Sequence, residues 1–321
     1  MNTLPVKALL LIVVLFLLAL PIAAAAPPLP PFDWWPVPSP DGTHVAFTRV
    51  FTGLGTHMTV EVVDLKTKRV SVIASSQSQL DPTWSPDSKQ VAYAAGGVLW
   101  VVRADGTGQH RYLAPVKAFA PAWRPNSTQL AYLTTHGSQN TDLWVGGALW
   151  ARNVIGRPAW SPDGSAVAFQ RDDGIYVATG PGAERQVAAI ANPGPPAWSH
   201  DGRTLAYGVV SVVFTVPADG SAPPTSIGNA LGGVGQVSWR SDGARLAVAF
   251  AHGVSILRPT PGHGAQGLWI GRASGPGVAY PSRGPGLFVS AAAAGCGGRV
   301  GIAELIGGRL RQLTDCGAAG P

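Results

Sequence analysis

Trp160-Ser161-Pro162-Asp163-Gly164, followed by Val167-Ala168-Phe169, is the stretch whose reading decides the fold, because the chain writes it again and again. The same phrase stands at Trp84-Ser85-Pro86-Asp87, Trp123-Arg124-Pro125-Asn126, Trp198-Ser199-His200-Asp201-Gly202 and Trp239-Arg240-Ser241-Asp242-Gly243. Successive tryptophans lie 39, 37, 38 and 41 residues apart. Each phrase leads into a short apolar run such as Val91-Ala92-Tyr93, Leu130-Ala131-Tyr132 or Leu205-Ala206-Tyr207. A repeat of that length with turn chemistry and no helical pattern predicts an all-β ring of small sheets, a β-propeller.

Weaker copies extend the series at both ends. Pro38-Ser39-Pro40-Asp41-Gly42 precedes Val45-Ala46-Phe47, with Pro38 in the tryptophan position, and Tyr280-Pro281-Ser282-Arg283-Gly284 precedes Leu287-Phe288-Val289. Seven units over residues 32–321 average about 41 residues each, the length of a four-stranded antiparallel blade. Seven blades are the preferred count and six the alternative.

One unit shows the physics. Thr83-Trp84 ends a first strand, and Ser85-Pro86-Asp87-Ser88 forms the turn: proline sets φ, and the Ser and Asp side chains bond nearby backbone N–H groups. Gly42, Gly164, Gly202 and Gly243 supply the positive φ of a tight hairpin. Gln90 to Tyr93, Val98 to Val102 and, after the Asp105-Gly106 turn, Gln109 to Leu113 complete an antiparallel meander. Trp84, Trp123, Trp160, Trp198 and Trp239 are expected to pack between neighbouring blades, each indole finding one acceptor for its N–H. Asp41, Asp87, Asp163, Asp201 and Asp242 are expected to hold turns. A residue repeated in every unit serves architecture before ligand binding.

Composition agrees. Charged residues make up 12% of the chain, and 41 glycines and 29 prolines fall in register between apolar strands, as turn-rich β structure requires. The net charge of +6 is thinly spread, with its densest cluster at Lys66, Lys68 and Arg69. Nucleic-acid binding calls for a basic stripe with aromatic platforms, and none is present.

Lys7, the apolar stretch Ala8 to Leu20 and the small residues Ala23 to Ala26 read as a secretory signal, residues 1–25, cleaved after Ala25. The alternative is an uncleaved anchor, since Ala8 to Ala26 spans 19 residues. Residues 26–31, rich in proline, form a stiff spacer before the propeller domain at 32–321. Export, to a periplasm, a cell surface or the medium, is the expected destination, with membrane contact only if the segment is retained. The two cysteines, Cys296 and Cys316, both fall in the last unit, and an oxidising compartment favours their pairing.

The Ser-Pro-Asp-Gly turn after Trp, followed by Leu-Ala-Tyr or Val-Ala-Phe, resembles the WD-like repeat of TolB-type β-propellers from about residue 32 to the end. That resemblance implies a propeller used as a scaffold in the cell envelope, with six blades in TolB itself. It also extends to propellers fused to peptidase domains, whose nucleophile sits in Gly-x-Ser-x-Gly. No such motif occurs here.

Enzyme chemistry finds little purchase. The seven histidines are scattered without zinc-ligand spacing, and Asp172-Asp173-Gly174 lacks the alternating oxygens of a calcium loop. No catalytic residue, metal or cofactor is assigned. The expected function is a non-catalytic, monomeric scaffold presenting one ring face to a protein or a cell-envelope polymer. A glycan-acting enzyme with its site in the central channel, marked by two carboxylates ~5–9 Å apart, is one alternative. A membrane-anchored extracellular sensor is the other. Function in such a ring belongs to loops held by rigid sheets. The segment before each first strand and the loop joining second and third strands share one mouth of the channel. Asp81, Arg157, Asn192 and Gln236 fall on the former, and Phe51, His57, His136, Asn140, Asp172 and Asp173 on the latter. These positions vary in type while the framework repeats, which makes them the candidate partner-binding set.

Overall fold

The computed structural model describes residues 31–52, 57–78, 80–112, 117–136, 140–229, 233–250, 253–260, 266–268, 277–282, 284, 286–291, 300–307 and 309–314. The N-terminal segment 1–30, Cys296 and Cys316 lie outside the described residues.

Seven separate four-stranded antiparallel sheets follow one another along the chain, each built from four consecutive strands. Blade 1 comprises β1 (Phe32–Pro38), β2 (His44–Phe51), β3 (His57–Asp64) and β4 (Val70–Ser76). Blade 2 holds β5 (Thr83–Trp84), β6 (Gln90–Ala95), β7 (Val98–Arg103) and β8 (His110–Arg111). Blade 3 holds β9 (Ala118–Trp123), β10 (Leu130–His136), β11 (Asn140–Val145) and β12 (Ala148–Ala151). Blade 4 holds β13 (Ile155–Trp160), β14 (Val167–Arg171), β15 (Gly174–Gly180) and β16 (Ala183–Ala189). Blade 5 holds β17 (Ala197–Trp198), β18 (Thr204–Val209), β19 (Val212–Pro217) and β20 (Thr225–Asn229). Blade 6 holds β21 (Val234–Trp239), β22 (Leu246–Phe250), β23 (Gly253–Leu257) and β24 (Gln266–Leu268). Blade 7 holds β25 (Val278–Ala279), β26 (Leu287–Ala291), β27 (Gly301–Ile306) and β28 (Arg309–Gln312). The protein is a seven-bladed β-propeller. Outer strand β8 covers two residues of the longer Gln109 to Leu113 segment expected from the sequence.

The Leu-Ala-Tyr runs become the second strands, and their alternation serves two interfaces at once. In β10, Leu130 and Tyr132 face a cluster with Ala92, Ala94 and Val101 of blade 2, whereas Ala131 and Leu133 join Val167 and Phe169 of blade 4. Successive side chains of a strand point to opposite faces, and a strand buried on both faces reads as a continuous apolar run. Seven such clusters occupy the seven blade-to-blade interfaces.

The indoles tie adjacent blades as the repeat predicted. Nε1–H of Trp84 donates to the Val37 carbonyl at 2.8 Å, Trp160 to Ala122 at 3.1 Å, Trp198 to Ala159 at 2.8 Å and Trp239 to Ala197 at 3.0 Å. In each case the acceptor sits immediately before the tryptophan, or Pro38, of the preceding blade. Trp123 departs from the pattern, its buried Nε1 making no hydrogen bond.

Among the described residues blade 7 borrows no strand from blade 1, and side chains make most of the closing seam. Fully buried Asp33 on β1 accepts from Arg49 Nε at 2.7 Å and Nη2 at 3.2 Å, and also from the Thr314 hydroxyl of blade 7. Arg49 Nη1 reaches Glu61 at 3.2 Å. The Asp33 N–H donates to the Val300 carbonyl at 3.0 Å. Val45, Phe47 and Val63 of blade 1 pack against Phe288, Ile302 and Leu313 of blade 7 beneath this network.

Candidate functional site

Every first strand runs inward from the same face, so the residue three places before each tryptophan position arrives at the axis. In chain order these are Trp35, Asp81, Ala120, Arg157, Pro195, Gln236 and Gly277. The first six line one cavity of about 520 Å³, together with Phe119, Leu133, Thr141, Val154, Ile155 and Val237 among others. Gly277 is pressed against Pro36 and Trp35: a Cβ there would approach Pro36 Cδ within 2.8 Å. The cavity is the mouth of the central channel. Its size falls within the ~300–1,000 Å³ of small-molecule and side-chain pockets.

Irregular backbone turns these residues inward. The ladder register shifts between Trp34 and Val37 in β1, opposite β9, between Ile155 and Ala159 in β13, and between Val234 and Val237 in β21. Such bulges re-aim side chains and are common beside binding sites. Trp35, Asp81 and Ala120, at the same repeat position in three consecutive blades, adopt φ of +52°, +39° and +48°. Left-handed backbone costs a non-glycine residue about 1–2 kcal/mol, and such strain clusters where a structure holds a functional geometry.

Among the described residues, charge enters the cavity lining through an ion pair between two blades. Arg157 of blade 4 bonds Asp81 of blade 2 through Nη2. The guanidinium lies over the Trp35 ring of blade 1, 3.9 Å from its centroid. The Asp81 side chain is 1% exposed and that of Arg157 31%, so the pair turns its cationic end to the cavity. Gln236 is held by accepting the Val278 N–H at 3.2 Å, and the Thr141 hydroxyl donates to the Val154 carbonyl.

The structure therefore brings together Asp81, Arg157 and Gln236 of the sequence-predicted set. Asn192 sits outside the lining on an exposed loop at φ +50°, its N–H donating to the Asp172 carbonyl at 2.7 Å. That bond joins the segment before β17 to the β14–β15 loop, the two kinds of loop expected to share a mouth. Asp172 is exposed on that loop. Asp173, beside it, accepts from the Tyr176 hydroxyl at 3.0 Å. His57 stacks on Phe51 at 4.3 Å across the β2–β3 hairpin. His136 and Asn140 pair at the ends of β10 and β11, and their side chains lie outside the described residues. Trp35, Phe119 and Ala120 were missed because apolar residues on a first strand read as core, and Pro195, just before β17, because a proline there reads as a turn. Aligning all seven copies on the tryptophan position would have found them.

Val210 belongs to the same rim. It is the first of two residues linking Val209 to Val212, stands 80% exposed at φ +54°, and accepts the N–H of Val234, where the inner strand of blade 6 begins. A β-branched residue in that conformation is a genuine outlier.

The opposite face carries the Ser-Pro-Asp turns. The Ser161 hydroxyl donates to Asp163 Oδ1 at 2.6 Å and the Ser165 N–H to the same oxygen at 3.0 Å, and these bonds hold the carboxyl at a pKa of about 2. Asp242 is held near 2 by the Arg240 guanidinium and the Ala244 N–H. Asp87 and Asp201 are lowered in the same way by Ser85 and Ser199. These aspartates are turn fasteners, as expected. Among the described residues, no group of three or more His, Cys, Asp or Glu could hold a metal ion.

Comparison with known proteins places the chain by shape alone. No protein-family model and no curated protein matches it. Among solved structures it is similar to the β-propeller domain of Cps50 (Swd1) from Myceliophteria thermophila, with a TM-score of 0.61 and 14% identity over 84% of this chain and 96% of that one. The likeness is one of fold.

Proposed function

We propose that this propeller is a non-catalytic scaffold that captures a protein partner at the channel mouth lined by Trp35, Asp81, Arg157 and Gln236. One observation carries the reading: the repeat position nearest the axis differs in every blade, while the tryptophans, turn aspartates and second strands around it recur. A framework repeated for packing with one ring of non-repeating residues is the arrangement of a rigid support for recognition. Val210, exposed on the same rim in left-handed backbone, is a further side chain that a partner seated at this mouth would meet.

The non-catalytic reading is supported by the lining itself, which holds one carboxylate among the described residues, Asp81, already engaged by Arg157. A glycan hydrolase in the channel would need a second. The TolB-like repeat, the signal-like residues 1–25 and the two cysteines support an exported scaffold of the cell envelope, released after cleavage at Ala25 and fastened by a Cys296–Cys316 bridge. N-terminal sequencing and thiol titration of the natively produced protein test those two points.

The function is tested with the triple variant Asp81→Asn, Arg157→Gln, Val210→Asn. Asparagine accepts left-handed backbone, and both charges leave together, so the fold should persist. Capture of the partner from a native cell extract should be abolished, and retained capture would discard this face.

A further inference from the structure

We infer that the channel cavity recognises a carboxylate carried on a large apolar group, as presented by the C-terminal residue of a polypeptide or by a free aromatic or aliphatic acid. The inference deepens the scaffold reading above and rests on the same mouth, but it concerns the chemistry of the cavity itself.

The walls set the apolar part. Phe119, Leu133, Val154, Ile155 and Val237 surround about 520 Å³ at the axis, room for a bulky side chain. Burial of such a group against apolar walls is favourable in proportion to the area removed from water.

The ion pair sets the sign of the polar part. A guanidinium has five N–H donors; a carboxylate such as Asp81 takes two of them at most. Among the described residues Asp81 is the one hydrogen-bond partner of Arg157, taken through Nη2, and Nε is buried, so three Nη donors remain for a ligand at a side chain 31% exposed. A cationic ligand has no counterpart here, because the Asp81 carboxylate is 1% exposed and the Trp35 face it would stack on is covered by Arg157 at 3.9 Å. The stacking on Trp35 and the bond to Asp81 hold the guanidinium plane in place, which suits planar recognition of a second carboxylate. A neutral apolar group would fill the walls and leave those donors facing it.

The test uses the full chain and three probes in calorimetric titration: acetyl-Gly-Gly-Phe with a free C-terminal carboxylate, the same peptide as its C-terminal amide, and 3-phenylpropionate. The peptide acid should bind at least tenfold more tightly than the amide. In the double variant Asp81→Asn, Arg157→Gln the preference should shrink to within twofold. Pro195→Trp, which leaves the ion pair untouched and narrows the mouth, should weaken all three probes. A peptide acid tighter than 3-phenylpropionate assigns the site to polypeptide ends, and equal binding assigns it to small acids. Equal binding of acid and amide by the wild-type protein, or no binding of any probe, would overturn the inference. Should capture of a protein partner persist while acid and amide bind alike, the carboxylate chemistry fails and the scaffold stands. Discrimination between probes without any captured protein would uphold the carboxylate chemistry and reject the scaffold.

Discussion

The indole N–H of Trp198 donates to the carbonyl of Ala159 at 2.8 Å, and Ala159 is the residue directly before the tryptophan of the preceding blade. The same step repeats from Trp239 to Ala197 and from Trp160 to Ala122, so each wedge is bonded to its neighbour by the group that also fills their shared interface.

Trp198→Phe keeps most of the packed ring and removes the donor that reaches the Ala159 carbonyl across the blade interface. It should cost about 1–2 kcal/mol in urea unfolding. Trp123→Phe should cost about 1 kcal/mol less, because Trp123 Nε1 has no acceptor to lose. Equal losses would mean that the bond contributes nothing.

Closure of the ring hangs on buried charge. Arg49→Met would strand Asp33 and Glu61 without their common partner, and breaking a buried pair in this way costs about 3–5 kcal/mol. A loss under about 1 kcal/mol, typical of an exposed pair, would show that the blade 1–blade 7 seam does not depend on it.

Acid should loosen the turns. Asp163 and Asp242 hold their carboxyls near 2, and Asp87 and Asp201 are shifted in the same direction. A depressed folded-state pKa contributes stability above the unfolded value, about 3.9 for aspartate. That contribution disappears as pH falls through the folded value. The urea midpoint should therefore drop between about pH 4 and pH 2, and Asp163→Asn should flatten the drop while lowering stability at neutral pH by about 1 kcal/mol. An unchanged profile in that variant would contradict the assignment.

Much of this architecture was legible because it is written in local chemistry. Pro162 and Gly164 set the turn, Asp163 fastens it, and Val167-Ala168-Phe169 declares a strand buried on both sides, so blade count and strand order followed from spacing. The Trp-to-carbonyl step was half legible: an indole buried between blades needs an acceptor, but which carbonyl supplies it depends on the pitch of the ring. Asp33 and Arg49 could not be paired from sequence, since Asp33 falls in an irregular first copy and its partner across the seam, Thr314, lies 281 residues away. In the channel, Asp81, Arg157 and Gln236 stood out as polar residues before a first strand. Trp35 and Ala120 did not, because nothing local distinguishes an apolar residue aimed at an axis from one aimed at a core.

Val210→Asn separates stability from function. Relieving a left-handed, β-branched residue should raise stability by about 1 kcal/mol, while removing an exposed apolar contact from the rim should weaken partner capture. Higher stability with undiminished capture would remove Val210 from the binding face.

Site-specific photocrosslinking tests the central claim most directly. With p-benzoylphenylalanine at Val210, 80% exposed on the rim and outside the cavity lining, and, separately, at Asp242 on the turn face, irradiation in native cell extract should give a discrete adduct from position 210 and none from position 242. Adducts from the turn face alone, or equally from both, would contradict recognition through the channel mouth.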